Sequence, residues 1–219
     1  MILLNNISKK SKNGELLFDV SLELEGNGVF GIVIPNDEER EGLVKILTGN
    51  DFSFDGEIAL NDETFSSDGG EASLVKYKKK IGYFAKKPRF YGNMTAKEIM
   101  EFVGATKGIT DELLYRQIKE ALELTGIDRI KDILCDRFDG AEERKLSLAS
   151  AFLGNPDLII AQEPYASFNE REREEIRNIL RMVGNVKPVI VVLSSSDETE
   201  ELCDKVFVIS EEGEDESDV

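Results

Sequence analysis

The sequence has no histidine. That removes Ser-His and Cys-His nucleophile pairs and any His-based zinc site. It has two cysteines, Cys135 and Cys203, and no Cys-x-x-Cys pair, so free thiols are expected rather than a disulfide framework. No metal-ligand cluster is expected. Basic residues are in deficit: 27 Lys and Arg stand against 44 Asp and Glu, a formal net charge of −17. A nucleic-acid surface needs a basic stripe to displace counterions, so nucleic acid is not expected as a partner. The opening stretch MILLNNISKKSKNG has no long apolar region of the kind found in signal peptides. No apolar run approaches the roughly 18 residues that a membrane span needs. Work at a membrane would therefore require spans from another chain. No internal repeat is visible.

What is present suits one α/β domain, or a core with an inserted lobe. The chain has 219 residues, 41% of them hydrophobic. Residues Ile2–Ile7 and Leu16–Glu25 read as strands. In the second, Val20, Leu22 and Leu24 alternate with Ser21, Glu23 and Glu25, which predicts one buried face. Gly28–Ile34 is a continuous apolar run, as in a strand covered on both sides. A helix is predicted from about Glu38 to Leu47, closed by Gly49. Gly56–Leu60 and Ile81–Ala85 read as strands, and Phe65–Ala72 as a loop. Thr95 and Glu98 have the spacing of a capping box. Helices are predicted over Asp111–Leu124, Ile130–Leu134, Glu142–Leu153 and Glu170–Val183. Leu158–Ala161, Val189–Leu193 and Val206–Ile209 read as strands. This alternation argues for a mainly parallel sheet. The run of helices from Tyr91 to Leu153 predicts a helical lobe. The tail after Ser210, EEGEDESDV, is acidic and offers no core residues, so it is expected to be disordered.

The stretch GIVIPNDEEREGLVKILTG, Gly31–Gly49, has the outline of strand, tight loop and helix. In nucleotide-binding proteins such a loop holds phosphate on backbone N–H groups at the helix start. Here the loop contains Asp37, Glu38, Glu39 and Glu41. A helix start carries unsatisfied N–H groups and the positive end of a dipole. Asn36 or Asp37 can cap it, and the neighbouring carboxylates suit the dipole.

Four segments in order carry a family resemblance: GLVKILTG, IGYFAKKPRFYGNMTAKEIMEF, RKLSLASAFLGNPDLIIAQEP and VVLSSSDETEELCDKVFVIS. They resemble, respectively, the helix after the phosphate loop, the Q-loop region, the helix after the signature with the Walker B strand, and the switch region of an ATP-binding cassette (ABC) transporter subunit. The resemblance runs from about Leu4 to Ser210. It implies a P-loop NTPase-like α/β fold with a mainly parallel core sheet, an antiparallel β edge and an inserted helical lobe. The implied division is a core of residues 1–90 and 156–209, a lobe of 91–155 and a tail of 210–219.

The chemical positions depart from the family pattern. The phosphate loop Gly-Pro-Asn-Gly-x-Gly-Lys-Ser/Thr-Thr is represented by Ile34, Pro35, Asn36, Asp37, Glu38, Glu39, Arg40, Glu41 and Gly42. Arg40 keeps the lysine's charge in a bulkier planar form. Glu41 stands where a hydroxyl would hold Mg²⁺. Lys86 has the Q-loop glutamine position. Phe138, Asp139, Gly140, Ala141 and Glu142 have the Leu-Ser-Gly-Gly-Gln signature positions. Gln162 replaces the Walker B aspartate, while Glu163 remains at the general-base position. Asn169 has the D-loop position and Ser196 the switch position. No aromatic near Lys10–Gly14 offers an adenine stack. One carboxylate about 4 Å from a phosphate oxygen costs about 4 kcal/mol at an effective dielectric near 20. That is about a thousandfold in affinity.

The resemblance therefore implies a degenerate cassette that requires no cofactor and is poorly suited to ATP and Mg²⁺. The expected partners are a membrane-spanning transporter subunit and a second, active cassette in a head-to-tail heterodimer. The expected place is the cytoplasmic face of the membrane. Arg89, Phe90 and Tyr91 fall where family members meet the membrane subunit. Two alternatives stay open: a weakly active ATPase subunit using Arg40, Glu41 and Glu163, and a cassette-shaped scaffold outside transport.

Overall fold

A computed structural model of the chain describes residues 1–10, 16–210 and 213–218. Residues 11–14, where no adenine-stacking aromatic is expected, lie outside the described residues. So do Glu211, Glu212 and Val219 of the acidic tail. The chain divides into two compact units, Met1–Lys78 with Leu180–Val219, and Lys79–Ile179. Strands β6 (Ile81–Phe84) and β7 (Leu158–Gln162) pair in parallel, and helix α5 (Gly140–Ala151) packs across β6.

The first unit holds an antiparallel sheet and a parallel run. Strands β1 (Ile2–Lys10), β2 (Leu16–Leu24), β4 (Asp55–Leu60) and β5 (Glu63–Ser66) are ordered β2-β1-β4-β5. Leu4 opposes Leu22, and Ile7 opposes Val20. Val20, Leu22 and Leu24 are buried while Ser21 and Glu23 are exposed, as the alternation requires. Strand β3 (Gly28–Val33) lies between β8 (Pro188–Leu193) and β9 (Lys205–Ser210), parallel to both. Every β3 residue is buried, which explains its unbroken apolar run. Helix α1 (Asp37–Leu47) follows β3 and buries Leu43, Val44, Ile46 and Leu47.

Phe65–Ala72 is not a loop throughout. Phe65 belongs to β5, opposite Ile58, and helix α2 (Gly70–Lys80) begins within the stretch. Phe65 stacks on Tyr77 of α2 at 4.6 Å between ring centroids. The Tyr77 hydroxyl donates to the Leu47 carbonyl at 2.6 Å, satisfying an acceptor at the end of α1. These contacts outweigh the turn-like local composition. The tail also differs from expectation: Gly213–Asp218 forms β10, antiparallel to β9. An edge strand offers backbone donors and acceptors, and pairing with them needs no apolar side chains.

The second unit contains β6, β7, α3 (Ala96–Lys107), α4 (Asp111–Thr125), α5 and the start of α6 (Glu170–Gly184). Its helical core includes Ile99, Met100, Ile118, Leu122, Leu146 and Leu153. Thr95 and Glu98 form the expected capping box on α3. Gly82 permits close packing within this unit, since a Cβ there would lie 2.0 Å from the Ala151 carbonyl oxygen. Ile130–Leu134 is not a helix. Short 3₁₀ turns occupy Asp128–Ile130 and Cys135–Arg137. A segment this short closes too few internal bonds to offset nucleation. Its neighbours find other partners, with Cys135 N–H donating to Met94 O at 2.9 Å. Both cysteines are free and buried, as expected for thiols outside a disulfide framework. Among the described residues no helix is long and apolar enough to cross a membrane.

Candidate functional site

The residues singled out in the sequence fall into two groups, one in each unit. In the first unit β3 ends at Val33, and Ile34 N–H donates to Leu193 O at 2.9 Å. Pro35 and Asn36 are exposed. Asn36 is the N-cap of α1, its side-chain oxygen accepting from the Glu38 N–H at 2.9 Å and the Glu39 N–H at 3.3 Å. Asparagine suits this position because its short side chain reaches back to the free amides. Asp37, Glu38 and Glu41 are exposed and Glu39 is half-buried.

Arg40 is 3% exposed. Its guanidinium donates to Ile34 O at 2.8 Å and Pro35 O at 3.2 Å, and it also pairs with Asp37. The fork thus binds the two carbonyls that lead into the loop. Gly42 is buried beside β2, where a Cβ would lie 3.2 Å from the Phe18 ring. Ser196 is exposed in the turn Ser196–Glu198, and its carbonyl accepts from the Thr199 N–H and hydroxyl.

In the second unit the end of β7 carries Gln162 and Glu163. The Tyr83 hydroxyl donates to the Gln162 side-chain oxygen at 2.6 Å. Lys86 Nζ lies 3.8 Å from Glu163 Oε1. Glu163 has φ of +46°, a left-handed conformation that costs a non-glycine residue about 1–2 kcal/mol. Arg144 on α5 is 1% exposed and reaches the same place. It donates to Ala85 O, to Gln162 O at 3.4 Å, to Glu163 O at 2.7 Å and to Pro164 O at 2.9 Å. Its guanidinium carbon lies 4.1 Å from the centre of the Phe84 ring. Burial pushes its pKa down to about 10, partly offset by nearby Tyr83 and Glu163.

Phe138–Glu142, compared above with the signature, lead into α5. Phe138 packs against the lobe core. Asp139 and Glu142 make a capping box, with Glu142 N–H donating to Asp139 at 2.8 Å and Asp139 N–H donating to Glu142 at 3.0 Å. Gly140 is exposed and Ala141 half-buried. Asn169 caps α6 in the same reciprocal way with Glu172. Phe90 turns into the lobe core, whereas Arg89 and Tyr91 are exposed. Tyr91 meets Phe102 of α3 edge to face at 6.2 Å, and the two are 63% and 51% exposed.

Three residues here escaped the sequence reading: Arg144, Tyr83 and Phe102. Arg144 left a trace. It shares a helical stripe with Leu148 and Ala151, and an arginine on an apolar stripe marks a buried guanidinium with carbonyl acceptors.

Comparison with known proteins agrees with this architecture. The ABC transporter family model matches residues 17–166, more than half of the chain. The chain belongs to the ABC transporter family. The glucose import ATP-binding protein GlcV of Saccharolobus solfataricus is 24% identical over 95% of this chain and 60% of its own length. The ABC transporter ATP-binding protein YxlF of Bacillus subtilis is 26% identical over 95% of this chain and 68% of its own. The chain thus spans about three-fifths to two-thirds of these relatives. The cassette MJ0796, solved as a dimer, superposes with a TM-score of 0.86 at 21% identity, covering 99% of this chain and 98% of that one. The protein cbiO1 of Clostridium perfringens, part of the ABC transporter complex cbiONQ, gives 0.80 at 18% identity, over 95% and 84%. These likenesses establish the cassette fold: α/β, with a parallel and an antiparallel sheet.

Proposed function

We propose that this chain is a degenerate cassette subunit that works without nucleotide as a structural or regulatory partner of a membrane-spanning transporter subunit. One observation carries the proposal: the phosphate loop is satisfied by its own residues. Asn36 takes the Glu38 and Glu39 amides, and Arg40 takes the Ile34 and Pro35 carbonyls. A phosphate would have to displace the cap and approach Asp37, Glu38 and Glu41. The second unit points the same way. Gln162 is a neutral amide engaged by Tyr83, and Glu163 already has a cation beside it. This donor set does not fit Mg-ATP. Phosphoryl transfer needs positioned cations and donors around the γ-phosphate, and one remaining carboxylate does not supply them. A second cassette with intact motifs is the partner that would hydrolyse ATP in such a pair, and the place of work is the cytoplasmic face of the membrane.

The test is phosphate release by the purified chain with Mg²⁺ and ATP, run beside Glu163→Gln. Both are expected to remain at background. A steady rate in the natural chain, abolished by Glu163→Gln, would favour a weak ATPase instead. Docking gives a separate test. Interface energy concentrates in a few aromatic and arginine side chains. Arg89, Tyr91 and Phe102 are the exposed candidates, while Phe90 is committed to the lobe core. Tyr91→Ala with Phe102→Ala should weaken retention of the membrane partner by about tenfold or more. The melt should barely change. Equal loss from changes at Glu214 and Asp215 in the tail would place the docking surface elsewhere.

A further inference from the structure

Two cations converge on one backbone junction. Residues 85–86, which follow β6, face residues 162–164 at the end of β7, and both segments belong to the same unit. Arg144 donates to a carbonyl of the first segment, Ala85, and to three of the second, Gln162, Glu163 and Pro164. Lys86 of the first segment pairs with the Glu163 carboxylate of the second. The Ala85 N–H is also held, donating to Ser147 Oγ on α5 at 3.0 Å. The backbone at Glu163 is in a left-handed conformation that must be held by its surroundings. The junction therefore has a cation on its carboxylate, another on its carbonyls and no acceptor set suited to a divalent ion.

We propose that Lys86 and Arg144 form a built-in cationic clamp, which fixes the segment running into Tyr91 against the end of β7 in place of a divalent ion. The inference rests on the reading that the chain works without nucleotide. It adds the regulatory consequence: the docking aromatics are held in one setting whatever nucleotide is present. Lys86 is a positioning residue here. Its ammonium is tethered, so the ion is always at hand and cannot be removed by chelation.

Amide hydrogen exchange of the full chain, without nucleotide or partner, tests the clamp. The peptide spanning residues 83–91 is followed in the natural chain, Lys86→Gln, Glu163→Gln and the double variant. Each single change is expected to speed exchange by roughly fivefold, and the double change by about the same factor, because both remove one interaction. Added MgCl₂ or EDTA is expected to leave exchange in the natural chain unchanged. Effects that multiply in the double variant, no effect in either single variant, or slowing by Mg²⁺ would overturn the proposal. The result is independent of ATP binding. A chain that binds no ATP yet shows no Lys86–Glu163 coupling keeps the functional reading and loses the clamp.

Discussion

Arg40→Ala is expected to destabilise the chain by about 3 kcal/mol, since it removes a buried charged donor from a cluster of acceptors. For a domain of this size that lowers the melting temperature by roughly 10 °C. The physical reason lies in the direction of the side chain. The guanidinium is 3% exposed and serves the Ile34 and Pro35 carbonyls from within the loop. Truncation leaves those carbonyls facing the space the fork occupied. It also removes the cation paired with Asp37 at the start of α1. Arg40→Lys should recover only part of the loss, because one ammonium cannot reproduce the planar fork. Millimolar Mg-ATP should not raise the melt of either variant or of the natural chain. A ligand at a hundredfold excess over its dissociation constant would add about 2.7 kcal/mol. A clear upward shift in the natural chain that disappears in Arg40→Ala would mean that Arg40 serves phosphate rather than the loop.

The sequence made the regular elements legible where burial and local propensity agree. Val20, Leu22 and Leu24 reported a one-sided strand because their alternation is the consequence of burial on one face. Thr95 and Glu98 reported a helix start because the capping box is complete within four residues. Long-range partners decided the rest. Phe65 sits in a Ser-, Asp- and Gly-rich stretch that resembles a loop, but Ile58 across the sheet and Tyr77 on α2 hold it in a strand. At the candidate site the residue types were legible, and their direction was not. An arginine at position 40 is consistent with serving a phosphate or a carbonyl, and only the path of the backbone from Ile34 to Asn36 distinguishes them. Lys86 and Glu163 are separated by 77 positions, and nothing local to either marks the pairing.

Arg144→Met is expected to be more damaging still, at about 4 kcal/mol. Methionine nearly matches the arginine stem in length and can cover Phe84 and Phe168, so apolar packing is largely kept. What is lost is the donor shared by the carbonyls of Ala85, Gln162, Glu163 and Pro164. The natural charge is not free. Burial holds the Arg144 pKa at about 10, well below an ordinary guanidinium, which corresponds to about 3 kcal/mol against the charged form. Hydrogen bonds from a charged donor contribute about 1.5–3 kcal/mol each, so the carbonyls offset a cost of that size. Arg144→Lys keeps the charge but cannot span both segments, and it should lie between methionine and the natural residue. The measurement is chemical denaturation of the three proteins. A methionine variant as stable as the natural chain would show that Arg144 acts through its stem alone. The residues following β6 would then be held to those following β7 by packing, with Lys86 and Glu163 as the remaining polar tie.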